Sequence, residues 1–131
     1  MNARTVSFLF GFIFVTVGLL GFTPNALVGY EGFFVVNAVH NLVHILTGSV
    51  FIVGAMRYPG FEGRIIKLVG LAYVAVSILG FLTAGDMLLG IVHINEADRW
   101  LHLGLAIVIL VAGFAFSDNK PGLTAHSINA R

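Results

Sequence analysis

At 131 residues with 58% hydrophobic and only 10% charged side chains, and a mean hydropathy of +0.98, the chain has too few charges to cover a water-soluble surface. A net charge of +1 and basic residues that form no patch argue against a nucleic-acid partner. Cysteine is absent, which excludes disulfides, thiolate metal sites, iron–sulfur ligation and thiol catalysis.

Met1 to Ser7 is a short polar start carrying Arg4, and Val6 to Phe22 is an uncharged apolar run. A positive start before an apolar core also describes a signal peptide. This run is longer than a signal core, and Phe22-Thr23-Pro24-Asn25-Ala26 is a poor small-residue cleavage site, so it is expected to be the first span. A loop follows, broken by Pro24 and Gly29 and closed by Gly32, with Tyr30 as an interfacial side chain. The second span is expected over about Phe34 to Met56, and a charged turn from Arg57 to Arg64 leads past Lys67 to a third span over about Leu68 to Ala84. Gly85-Asp86 opens a loop expected to dip back through Met87 to Val92 and to end at His93. The fourth span runs from near Asn95 to Phe116, and a polar tail covers 117–131.

Lys and Arg counted by loop set the orientation. Arg4, Arg57, Arg64, Lys67, Lys120 and Arg131 fall on one side of an even-numbered topology, and only Arg99 falls on the other, with Glu31, Asp86, Glu96 and Asp98. Both termini are therefore expected to be cytoplasmic.

The two halves of the chain echo each other. The run from Gly11 to Phe22 aligns with the run from Gly70 to Phe81 at half of its positions, and Asn37, His44, Val50 and Val53 then align with Asn95, His102, Val108 and Val111. Each repeat contains two spans, about 6–56 and about 68–116, so the copies share one orientation and relate by an axis along the membrane normal. The fold class predicted is all-α: one integral membrane domain, a four-transmembrane-helix bundle of two parallel two-helix repeats. Frequent glycines would let the helices approach closely.

Polar residues at the mouths of spans two and four carry the functional signal. His40 and His44 follow Asn37 by three and seven residues, and Asp98 and His102 follow Asn95 in the same way. Residues four apart share one helix face, and ionisable groups inside a span face the protein interior. His40, His44, Asp98 and His102 together offer three imidazoles and a carboxylate. That donor set suits zinc, copper or iron better than magnesium or calcium, and it would lie toward the outer face. A second reading is b-type haem, with His44 and His102 as axial ligands from opposite sides. A third makes Asn37 and Asn95 helix caps, Asp98 a capping-box acid and the histidines interhelical hydrogen-bond glue worth about 1 kcal/mol each. The polar pairs would then serve assembly, and the chain would be an accessory subunit of a larger membrane complex. On any of these readings the expected partners are the lipid bilayer and a homo-oligomer or a larger membrane complex.

His93 could join the site or relay protons, and Arg99 could pair with Glu96, Glu31 or Asp86. The Phe residues at 8, 10, 12 and 14 suggest a lipid-facing or partner-facing surface. No Ser/His/Asp set, phosphate loop or paired carboxylates supports hydrolase or nucleotide chemistry.

The pattern Val-Asn-x-x-His-Asn-Leu-Val-His-x-Leu-Thr-Gly, followed by Asn-x-x-Asp-x-x-Leu-His-Leu, resembles an uncharacterised family of small bacterial four-span membrane proteins, a domain of unknown function. The similarity covers about Gly11 to Gly113. It implies a bacterial four-span bundle and brings no established activity or ligand. The expected location is the bacterial inner membrane.

Overall fold

A computed structural model describes residues 1–116; the expected polar tail, with Lys120 and Arg131, lies outside them. Four helices dominate: α1 (Ala3–Leu20), α2 (Ala38–Arg57), α3 (Glu62–Leu82) and α4 (Glu96–Ala115). They contain 18, 20, 21 and 20 residues, and at about 1.5 Å per residue each is roughly as long as a bilayer's hydrocarbon core is thick. All four are apolar enough to cross a membrane, and the chain is an integral membrane protein of the four-helix class.

Asparagine starts three of the helices. Asn2, Asn37 and Asn95 sit at the N-caps of α1, α2 and α4, and each side chain accepts from the backbone N–H three residues on, which satisfies one of the orphan donors of a first turn. Helix α3 has no such cap. Its first-turn Glu62 instead favours the positive end of the helix and accepts from Gly60 N–H at 2.7 Å. Helix α3 thus begins six residues before the expected Leu68 and carries Glu62, Arg64 and Lys67 on its first turns.

The chain packs as two tight hairpins, α1 with α2 and α3 with α4. Glycine makes the first pairing close: a Cβ at Gly48 would lie 2.6 Å from Gly11 O and 2.8 Å from Val15 N. Phe14, Phe51, Ile66, Tyr73, Ala106 and Ile109 form the shared core between the hairpins. The outward faces keep large apolar side chains such as Phe12, Leu46, Leu68 and Phe114 exposed, as lipid contact requires. The phenylalanine run of α1 is therefore split, because Phe12 faces out while Phe14 is buried.

The two loops at one end of the bundle are more ordered than expected. The first contains a two-residue parallel ladder between β1 (Val28–Gly29) and β2 (Phe34–Val35). The second is an antiparallel hairpin of β3 (Met87–Leu88) and β4 (Val92–His93), where a dipping loop was expected. Its turn puts Leu89 and Gly90 at positive φ, 52° and 76°, and Ile91 N–H closes it onto Leu88 O at 3.2 Å. Two successive positive-φ residues are what a twisted hairpin's favoured turn demands.

Candidate metal centre

Helix geometry delivers the candidate ligands. Because Asn37 caps α2, His40 falls in its first turn and His44 one turn deeper on the same face. Asn95 places Asp98 and His102 likewise in α4. His40, His44, Asp98 and His102 are 2%, 5%, 2% and 6% exposed, so all four point inward, as ionisable residues in an apolar span must.

The three histidines come together. One ring nitrogen from each of His40, His44 and His102 lies within 4.8 Å of the others. Ring centroids are 4.7 Å apart for His40 and His44, 5.5 Å for His40 and His102, and 6.1 Å for His44 and His102. The cluster could hold a metal ion.

Backbone carbonyls orient two of the rings. His40 Nδ1 lies 2.7 Å from His93 O, and His102 Nδ1 lies 2.6 Å from Asp98 O. A carbonyl can only accept, so Nδ1 carries the proton in both rings. In the neutral imidazole this leaves Nε2 with the lone pair, which is how metal-binding histidines are commonly held. The third ring differs: His44 Nδ1 is buried and finds no hydrogen-bond partner among the described residues. An unpaired buried nitrogen costs about 1–3 kcal/mol.

Asp98, expected as the acidic fourth ligand, lies outside this group. Its carboxylate closes a capping box, accepting from Asn95 N–H at 3.2 Å while Asp98 N–H donates to Asn95 Oδ1 at 3.0 Å. Val35 in the opposite loop adds a second backbone hydrogen bond to it. With its oxygens held by the start of α4 and by β2, the carboxylate is anchored rather than offered to the histidines.

Further polar contacts cross between the hairpins. Asn37 Nδ2 donates to Ile91 O at 2.8 Å, and Asn95 Nδ2 donates to Phe33 O at 2.8 Å. His40 holds the backbone at His93, and Asp98 holds it at Val35. Each loop is thus tied to the start of the other hairpin's second helix.

Two aromatic residues complete the enclosure, and sequence reasoning did not single them out for this. Phe14 packs on His44 with centroids 5.6 Å apart, and Tyr73 stacks on His102 at 5.7 Å. Phe14 and Tyr73 also meet edge to face at 5.3 Å, and Tyr73 hydrogen-bonds Thr47. The usable signal was the alignment of the two halves, which sets Phe14 opposite Tyr73.

His93 joins through its backbone and not its ring, which instead contacts Tyr30 edge-on at 5.8 Å. Arg99 pairs with Glu96 at 3.3 Å and with Asp86 at 3.7 Å, and also donates to Gly85 O, which serves the loop rather than the cluster.

Residues 4–115 match the family described as Domain of unknown function (DUF4383), and the chain belongs to that family. No curated protein and no solved structure matches it.

Proposed function

We propose that this member of the DUF4383 family binds one transition-metal ion between its two helix hairpins, with His40, His44 and His102 as the ligands. The observation that carries the reading is the convergence of three buried imidazoles from two helices. The unpaired Nδ1 of His44 supports it, because coordination would relieve that nitrogen or fix its ring. Imidazole donors suit zinc, copper and iron. Metal–nitrogen bonds of about 2.0–2.1 Å bring the nitrogens of a tetrahedral site to roughly 3.3 Å apart, so the cluster contracts by small side-chain rotations on loading.

The same charge asymmetry that sets topology supports a site toward the outer face of a bacterial cell membrane. Arg57, Arg64 and Lys67 flank the turn between α2 and α3, while Glu31, Asp86 and Glu96 gather at the end where the histidines lie. Haem b is a poorer fit than a bare ion. A porphyrin gripped by His44 and His102 must pass between them, and His40 stands 4.7 Å and 5.5 Å from those rings.

Elemental analysis of protein purified in mild detergent, without chelator or histidine tag, tests the reading. About one equivalent of metal per chain is expected in the wild type and none in His44→Ala or His102→Ala. Retention of a full equivalent by both variants overturns it. A metal-free protein that always co-purifies with the same partner supports an accessory-subunit role instead.

A further inference from the structure

Three neutral imidazoles bring no negative charge to an ion, and the surroundings of this cluster bring little water. The histidines are at most 6% exposed, and Phe14 and Tyr73, which cover His44 and His102, are 3% and 5% exposed. A void of about 10 Å³ borders His102 and is lined by Val76, Ser77, Gly80, Leu88, Ile94 and Arg99. That volume is at the bottom of the range of about 10–15 Å³ that admits one water. A divalent ion that completes its shell with water, as open three-histidine zinc sites do, finds room for at most about one water molecule here.

Charge points the same way. The cost of taking an ion out of water rises with the square of its charge, and an uncompensated buried charge is expensive. Asp98 is the buried carboxylate of this end of the bundle, one helical turn from His102. Glu62, the other buried carboxylate among the described residues, starts α3 at the opposite end. The nearby Arg99 is occupied with Glu96 and Asp86. A divalent ion on three neutral ligands beside one carboxylate leaves a net positive charge in an apolar interior. A monovalent ion beside the same carboxylate leaves none. Among first-row metals, copper(I) is the monovalent ion that accepts imidazole nitrogen and is content with three ligands.

Resting on the tri-histidine reading above, we propose that the ion held by His40, His44 and His102 is copper(I), three-coordinate, with Asp98 as its uncoordinated counter-charge. The acid holds β2 and the start of α4 through its oxygens and acts on the ion through space.

The test is a competition on wild-type protein in mild detergent, stripped of metal and kept anaerobic with ascorbate. Copper(I) is titrated against a chromophoric copper(I) chelator. The expected result is one equivalent bound, silent in electron paramagnetic resonance, with three nitrogen neighbours in X-ray absorption and no displacement by a hundredfold excess of Zn²⁺. Asp98→Asn, which keeps an acceptor for the cap, should weaken copper(I) by on the order of tenfold or more, the size expected for one charge acting across a partly shielded gap. Preferential uptake of Zn²⁺, or of Co²⁺ with visible bands of a tetrahedral site, overturns the copper(I) assignment and leaves the three-histidine site standing. Failure of the wild type to take up any of these ions overturns both. The competition needs only wild-type protein, so a variant that misfolds does not blunt it; circular dichroism and gel filtration check Asp98→Asn.

Discussion

At the mouth of α2, Asn37 caps the helix and reaches over to Ile91, while His40 donates to the His93 carbonyl. At the mouth of α4, Asn95 caps the helix and reaches back to Phe33, while Asp98 accepts from Val35. The two ends share a plan and differ in the direction of one hydrogen bond. In the first half the side chain gives a proton to the opposite loop, and in the second half it receives one. The difference bears on which side chains are left free to bind an ion. A histidine that spends Nδ1 on a carbonyl still has Nε2 for an ion, whereas a carboxylate that accepts from two backbone N–H groups is committed. Holding the loops and binding an ion are compatible for His40 and compete for Asp98. The deeper pair differs as well, since among the described residues His102 Nδ1 is paired and His44 Nδ1 is not.

The strongest way to break this comparison is to attack a contact found in one half only. Gly48 of α2 meets the backbone of α1, where a Cβ would sit 2.6 Å from Gly11 O, while Ala106, the matching position of α4, already carries a Cβ and is buried. Gly48→Leu should cost about 3 kcal/mol or more through overpacking, seen as loss of monodisperse protein or a large drop in thermal midpoint. Gly104→Ala, where a Cβ meets nothing within 4 Å, should be neutral or stabilising by under about 1 kcal/mol. Next comes Asp98→Ala, which leaves the Asn95 and Val35 N–H groups without their acceptor. A loss of about 1–3 kcal/mol is expected, with one equivalent of metal still bound at saturating ion. Loss of stoichiometry would return Asp98 to the ligand shell.

A smaller and sharper test sets Asn37→Ala beside Asn95→Ala. Each removes a cap and one crossing bond, so each should cost about 1–2 kcal/mol, and a shared plan requires the two losses to agree within about 0.5 kcal/mol. Thermal unfolding in one detergent measures both, and a gap well above 1 kcal/mol would show that the two mouths are not equivalent. The smallest effect belongs to His93→Ala. The bond to His40 uses the backbone of residue 93, so metal affinity should stay within about twofold and stability within about 1 kcal/mol, the size of an edge-on aromatic contact. A tenfold weaker site would place the ring of His93 in the centre.

Much of this was readable from the chain because it is local. Four apolar runs give four helices, and an asparagine three residues before an inward polar side chain announces both the cap and the face. Asp98 illustrates the limit. The spacing from Asn95 fits a capping box and a ligand face equally well, and the choice is made by Val35, which lies in the other half of the chain. The early start of α3 escaped for a different reason: hydropathy measures the apolar slab, and Glu62, Arg64 and Lys67 extend the helix beyond it into polar surroundings. The loop ladders and the crossing asparagine bonds join residues far apart in sequence, so no periodicity reveals them. The reach of Tyr73 to Thr47, from one hairpin to the other, is of the same kind.

The crossing bonds also have a kinetic meaning. Lifting residues 33–35 away from the bundle breaks bonds to Asn95 and Asp98 on α4, and lifting residues 91–93 breaks bonds to Asn37 and His40 on α2. Each loop therefore opens only by giving up bonds to the helix start of the other hairpin. Segments tied down in this way open less often than a free surface loop, whose motions run from nanoseconds to microseconds.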